Sequence, residues 1–220
     1  MAPCSYQQSR ELREYCQAKV GGPESLILHI GCGNSRMAPG LYDDGYKLIA
    51  NVDLSAAVVG QMRTKYQESH PGMLFMVGDG LALGDKPGFD PETFDAVVDK
   101  GTLQSLLLLR GGMAKAAAFA REVWRVLKPG GRLIEIMGSS GMQQYIQPAD
   151  VKWESVTFKK IKRVGIGGYA VVRVVVCRGA LTHPTPPHTH MRPHTMDYTS
   201  NNVMDYTSSS TALVTSGPWW

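Results

Sequence analysis

Cysteine is scarce in this 220-residue chain, and the four present, Cys4, Cys16, Cys32 and Cys177, are scattered. No two have the spacing of a metal-ligand pair, and the dense even framework of a disulfide-stapled secreted domain is missing. Reduced thiols in an intracellular protein are therefore expected. Long apolar runs are lacking too, as none approaches the roughly 20 residues that span a bilayer. Residues 1–8 have no apolar core of the signal-peptide kind. Arg10, Arg13 and Lys19 suit a transit peptide, but Glu11 and Glu14 oppose one. Charge of one sign is also in short supply. The formal net charge is +4, too small by itself to imply nucleic acid. These absences lead to the expectation of a cytoplasmic protein with no membrane partner, no nucleic-acid partner and no metal.

What is present points more sharply. The run Leu26-Ile27-Leu28-His29-Ile30-Gly31-Cys32-Gly33-Asn34-Ser35 reads as a buried strand leading straight into a glycine turn. A second apolar run ends at Asp53, about 20 residues on, the separation found in dinucleotide-binding βαβ units. Glycines allow the tight turn and the close approach of a ligand. A carboxylate at a strand end can accept both hydroxyls of a ribose. This is the first half of a nucleotide-cofactor site in a doubly wound α/β domain. Arg36 stands where G-x-G-x-x-G has its third glycine, which argues against NAD.

Strands are expected over 26–30, 47–52 with Asp53 at the end, 73–77, 94–98 and 132–137. Residues 5–19 read as a polar helix stopped by Gly21-Gly22-Pro23. Helices are also expected at about 36–42, after a Ser55 cap where Val58, Val59 and Met62 recur at helical spacing, and up to Arg110. An Ala-rich helix over 113–127 is stopped by Pro129-Gly130-Gly131. Two β-rich runs, 153–163 and 169–178, flank Gly165-Ile166-Gly167-Gly168 and read as a hairpin. The order predicts a Rossmann-like doubly wound seven-stranded α/β sheet, mostly parallel with an antiparallel C-terminal hairpin. One domain, residues 1–179, is followed by a His/Pro/Thr-rich tail at 180–220. Met196-Asp197-Tyr198-Thr199-Ser200 recurs there as Met204-Asp205-Tyr206-Thr207-Ser208. Such polar low-complexity sequence is expected to be disordered.

Three segments together carry a resemblance. They are Ile30-Gly31-Cys32-Gly33-Asn34-Ser35, Phe94-Asp95-Ala96-Val97-Val98-Asp99-Lys100-Gly101-Thr102-Leu103 and Val123-Trp124-Arg125-Val126-Leu127-Lys128-Pro129-Gly130-Gly131-Arg132. The set resembles the methyltransferase-like family of class I S-adenosylmethionine-dependent methyltransferases. It is most similar to the group that methylates lysine on translation elongation factor 1-alpha. The resemblance implies S-adenosyl-L-methionine as cofactor and a protein substrate as partner. It implies a cofactor site of Gly31, Cys32, Gly33, Asn34, Asp53, Leu54, Asp79, Gly80, Asp99 and Lys100. In it the glycines meet the methionine part, Asp53 holds the ribose, and Leu54 packs on the adenine-ribose unit. Asp79 accepts from the adenine amino group, with the Gly80 backbone beside it, and Asp99 and Lys100 stand at the mouth.

A lysine nucleophile must first lose a proton, and only about one in a thousand is neutral near pH 7.4. A dry apolar pocket shifts that balance without a dedicated base, so no catalytic residue is named. Two departures from the family stand out. Gln104 replaces an aspartate after Thr-Leu, and residues 1–25 hold Tyr6 and Tyr15 but no tryptophan where relatives carry an aromatic segment. A small-molecule methyltransferase and a non-catalytic methyltransferase-fold binding module therefore stay open as alternatives, with an NAD oxidoreductase behind them.

Overall fold

The computed structural model describes residues 6–84, 88–138, 148, 150–162 and 169–177. The expected tail and hairpin turn lie outside them, as do Cys4 and Arg163. In chain order the elements are α1 (Arg10–Val20), β1 (Ile27–Ile30), α2 (Met37–Asp43), β2 (Ile49–Asp53), α3 (Ala56–Tyr66), β3 (Met73–Val77), β4 (Phe94–Asp99), α4 (Thr102–Leu107), α5 (Gly112–Val126), β5 (Leu127–Met137), β6 (Trp153–Lys162) and β7 (Tyr169–Cys177).

Local chemistry sets the helix starts. Ser9 caps α1 by accepting from the Leu12 N–H, and Ser55 caps α3 by accepting from the Val58 N–H. Leu12, Cys16 and Val20 recur every fourth residue, so α1 buries one stripe and leaves its charged face in water. In α5, Ala116, Phe119, Ala120 and Val123 do the same.

The strands form one seven-stranded sheet in the order β3-β2-β1-β4-β5-β7-β6. β1 pairs in parallel with β2 and β4, and β7 lies antiparallel to both β5 and β6. The hairpin thus folds back so that β7 enters the sheet and β6 takes the edge. Alternate residues feed two cores. Ile27, Ile49, Val98, Ile134 and Val172 face the side of α1, α2 and α3, while Leu28, Ile30, Val97, Leu133 and Val175 face α4 and α5.

Two expectations need correction. Strand five begins at Leu127 rather than 132, because Phe94 pairs with Leu127 before the register jumps to Ala96 against Arg132. Lys128-Pro129-Gly130-Gly131 is a bulge inside β5, with Gly130 at φ 76°, a geometry that glycine permits and that needs no N–H from proline. The first helix starts at Arg10 rather than at residue 5.

Tyr6 and Tyr15 belong to the packing of this face. Tyr6 is buried against Gly40 of α2 and donates to Asp44 Oδ2 at 2.7 Å. Lys159 of the edge strand sits over the Tyr15 ring and pairs with Glu11 at 3.2 Å. The edge lysines Lys160 and Lys162 are exposed, as suits protection of an open edge. Trp153 packs partly buried against the second core. Among the described residues, no helix is long and apolar enough to cross a membrane.

Polar side chains also enter the sheet. His29 on β1 is buried beside Asn51 on β2, with Nδ1 3.1 Å from Asn51 Oδ1. Burial pushes the His29 imidazole down to about 4, against the bond to Asn51, which favours the charged form. An unfolded histidine titrates near 6.5. Between those values the unfolded chain binds the extra proton, so this group removes stability as pH falls through that window. Urea midpoints measured from pH 7 to pH 4 are expected to fall less for His29→Gln than for the wild type. Equal slopes would free His29 of that role.

Candidate functional site

The sheet reverses its winding between β1 and β4, and in open α/β sheets ligands bind at the carboxyl ends of strands beside such a point. The residues singled out from the sequence gather along that edge. β1 delivers the turn 31–34, β2 ends at Asp53, Asp79 follows β3, and β4 ends at Asp99.

Two glycines of the turn adopt positive φ, Gly31 at 60° and Gly33 at 51°. They face different surroundings. A β-carbon on Gly31 would run into the Thr102 side chain, whereas one on Gly33 would meet nothing within 4 Å. Close approach by a ligand is therefore available at Gly33, while the space at Gly31 is filled by the protein. Between them Cys32 is buried, and its N–H donates to the Val52 carbonyl at 3.0 Å. Burial, with Asp53 nearby, pushes its thiol up to about 12, so it stays protonated and is no nucleophile. Asn34 is exposed at the tip.

Asp53 is the hinge of the site. Its Oδ2 accepts the Gly33 N–H at 2.7 Å and its Oδ1 accepts the Ser55 N–H at 2.9 Å. Each carboxylate oxygen can accept more than one hydrogen bond, so capacity remains for two ribose hydroxyls. Leu54 next to it is 71% exposed, an apolar side chain standing in water. Asp79 is exposed and shapes its own turn by accepting the Leu81 N–H at 2.9 Å. Gly80 lies so close to Ile30 that a β-carbon would come within 2.9 Å of it. Its lack of a side chain serves the packing of β1.

Asp99 differs from the other carboxylates. It is fully buried, and its oxygens accept the Thr102 N–H at 2.7 Å and the Leu103 N–H at 3.1 Å, capping α4. Burial pushes its carboxyl up, and the two backbone bonds pull it back. The side chain is thus engaged inside the fold, and Lys100 after it is half-buried. Lys100 and Asp53 both act electrostatically on His29 beneath the turn.

Other side chains tie this edge together, among them Gln104, which the sequence marked only as a departure. The Thr102 hydroxyl donates to the Ile30 carbonyl at 3.1 Å. Gln104 Oε1 accepts the Gly138 N–H at 3.1 Å, joining α4 to the carboxyl end of β5. Asp99, Glu135 and Arg173 lie in register on β4, β5 and β7, and Arg173 is ion-paired with Glu135. Thr102 and Gln104 lay within or beside the quoted motif. Glu135 and Arg173 carried no signal, since their meeting depends on strand order. No group of three or more His, Cys, Asp or Glu able to hold a metal occurs among the described residues.

Residues 28–134 match a family model described as a methyltransferase domain. That segment is a little under half of the chain, and over it the chain resembles class I methyltransferase domains. A Danio rerio protein named eEF1A lysine and N-terminal methyltransferase is 37% identical over 112 residues, covering 51% of this chain and 16% of that protein. A Bos taurus protein named EEF1A lysine methyltransferase 4 is 33% identical over 126 residues, 54% of this chain and 48% of that one. The chain therefore spans less than half of either relative's length. A solved structure of a SAM-dependent methyltransferase from Methanosarcina mazei superposes with a TM-score of 0.55 at 15% identity, over 73% of this chain and 96% of that one. That likeness is one of fold.

The cofactor implied by domain and fold is S-adenosyl-L-methionine. The residues fit it. Asp53 keeps acceptor capacity beside an exposed Leu54, and the turn is open at Gly33.

Proposed function

We propose that this domain is an S-adenosylmethionine-dependent methyltransferase acting on a lysine side chain of a protein such as a translation elongation factor. The observation that carries this reading is the 37% identity, over half the chain, to a relative named for that activity. Such an acceptor would put the enzyme to work in the cytoplasm.

Bound, S-adenosylmethionine supplies an electrophilic methyl group on a sulfonium centre. The chain's part is to bind, orient and exclude water. Asp53 would hold the ribose by both hydroxyls, its carboxylate fixed in advance by the Gly33 and Ser55 N–H bonds. Leu54 would cover the adenine-ribose unit, and Asp79 would accept from the adenine amino group with the Gly80 backbone beside it. The turn of Gly31, Cys32, Gly33 and Asn34 would receive the methionine part, with the open approach at Gly33. The Asp99 and Lys100 backbone forms the rim where the acceptor enters. There a neutral lysine is favoured by partial desolvation rather than by a side-chain base.

One observation favours the small-molecule alternative. Gln104 is neutral where the resemblance places a carboxylate, and its carbonyl oxygen is engaged with Gly138. It therefore offers an incoming ammonium no charge. Transfer of labelled methyl groups into purified elongation factor 1-alpha and into a cell lysate separates the readings. Label on lysine in a protein band is the expected result. Label confined to small molecules would overturn the protein-lysine reading. Tight cofactor binding with no transfer to any acceptor would favour the binding module.

A further inference from the structure

We propose that Thr102 is a positioning residue of the cofactor site, clamping the glycine turn to the end of β4. The inference rests on the reading that the turn at 31–34 receives S-adenosylmethionine, and it assigns that turn's geometry to a side chain 71 residues from Gly31.

Three independent contacts meet at Thr102. Its hydroxyl donates to the Ile30 carbonyl at 3.1 Å, with the Gly31 carbonyl at 3.4 Å beside it. Its side chain fills the space that a β-carbon on Gly31 would need. Its own N–H is held by the buried Asp99 carboxylate at 2.7 Å. Asp99 and Ile30 are register partners on adjacent strands, so the clamp spans one strand spacing and has little slack. Gly101, at φ 93°, turns the chain so that α4 can start beside the turn.

The glycine at position 31 follows from this arrangement. It makes room for threonine as well as for a positive φ. The same short helix is also tied to the end of β5, because Gln104 in its middle accepts from the Gly138 N–H. The glycine turn and the end of β5 are thus both anchored to α4.

The test compares Thr102→Val, which keeps the shape and removes the donor, with Thr102→Ser, which keeps the donor. S-adenosylmethionine affinity is read by calorimetry, and amide hydrogen exchange at Cys32 and Gly33 is read without ligand. Loss of one such bond corresponds to about a tenfold weaker affinity for Thr102→Val, while Thr102→Ser is expected within about threefold of wild type. Exchange at Cys32 and Gly33 should quicken in Thr102→Val relative to amides in the middle of β2. A merely structural role would lower the melting temperature without that local effect. Should Thr102→Val not fold, Thr102→Ala carries the same expectation. Wild-type affinity and exchange in Thr102→Val would overturn the clamp, and so would a serine variant as impaired as the valine one. A wild-type protein that binds no S-adenosylmethionine would overturn the functional reading and this inference with it.

Discussion

Asp53→Ala is expected to lower S-adenosylmethionine affinity by roughly 100-fold or more, equivalent to about 3 kcal/mol. Two losses combine. The ribose hydroxyls lose a charged acceptor, and hydrogen bonds to charged groups are worth about 1.5–3 kcal/mol each. The turn also loses its anchor, since Gly33 and Ser55 both donate to that carboxylate. Asp53→Asn separates the two. The amide oxygen can keep one backbone donor, but its NH2 group faces the other as a second donor. An intermediate affinity is expected for Asn, and calorimetric titration of the three proteins reads the order. Unchanged affinity in Asp53→Ala would remove this residue from the site.

Arg173→Met is expected to cost about 3–5 kcal/mol of stability, the usual penalty for removing one partner of a buried ion pair. Glu135 and Asp99 would then remain inside the sheet without the arginine charge. Adding Glu135→Gln should recover part of the loss, because it removes the carboxylate that Arg173 balances. Urea unfolding of the single and double variants measures the coupling. Burial and the neighbouring Asp99 push the Glu135 carboxyl up, while Arg173 pulls it back down. Just above about 4.3 the folded state still holds a proton that the unfolded state has lost, so this group removes stability as pH rises there. That trend opposes the one from His29, and Glu135→Gln should flatten it. A Glu135→Gln profile parallel to wild type above pH 5 would refute the assignment.

The parts of the site that were legible in the sequence are those set by local rules. A strand followed by Gly31-Cys32-Gly33, and an acid at the end of the next strand, depend on backbone geometry within a few residues. Ser55 as a helix cap is equally local, and the structure bears it out. What could not be read depends on partners distant in sequence. Gly31 looked like a glycine reserved for a ligand, yet its space is occupied by Thr102. Asp99 looked like a residue of the mouth, yet its carboxylate points into the fold and caps α4. Arg173 sits in a run of valines and reads as an interruption until register sets it beside Glu135. The bulge in β5 was misread because Pro-Gly-Gly after a helix usually marks a stop, whereas pairing of Phe94 with Leu127 already begins the strand.

The place of β7 bears on how the molecule is made. The strand nearest the end of the described chain lies inside the sheet, between β5 and β6. During synthesis β1 to β5 leave the ribosome first, and Glu135 emerges 38 residues before the arginine that pairs with it. Until β7 arrives, β5 presents an open edge with an uncompensated acid on it. The cofactor half can assemble while translation continues, but the sheet closes only after synthesis has passed Cys177. Emergence of β7, rather than formation of the glycine turn, is thus the step at which this sheet becomes complete.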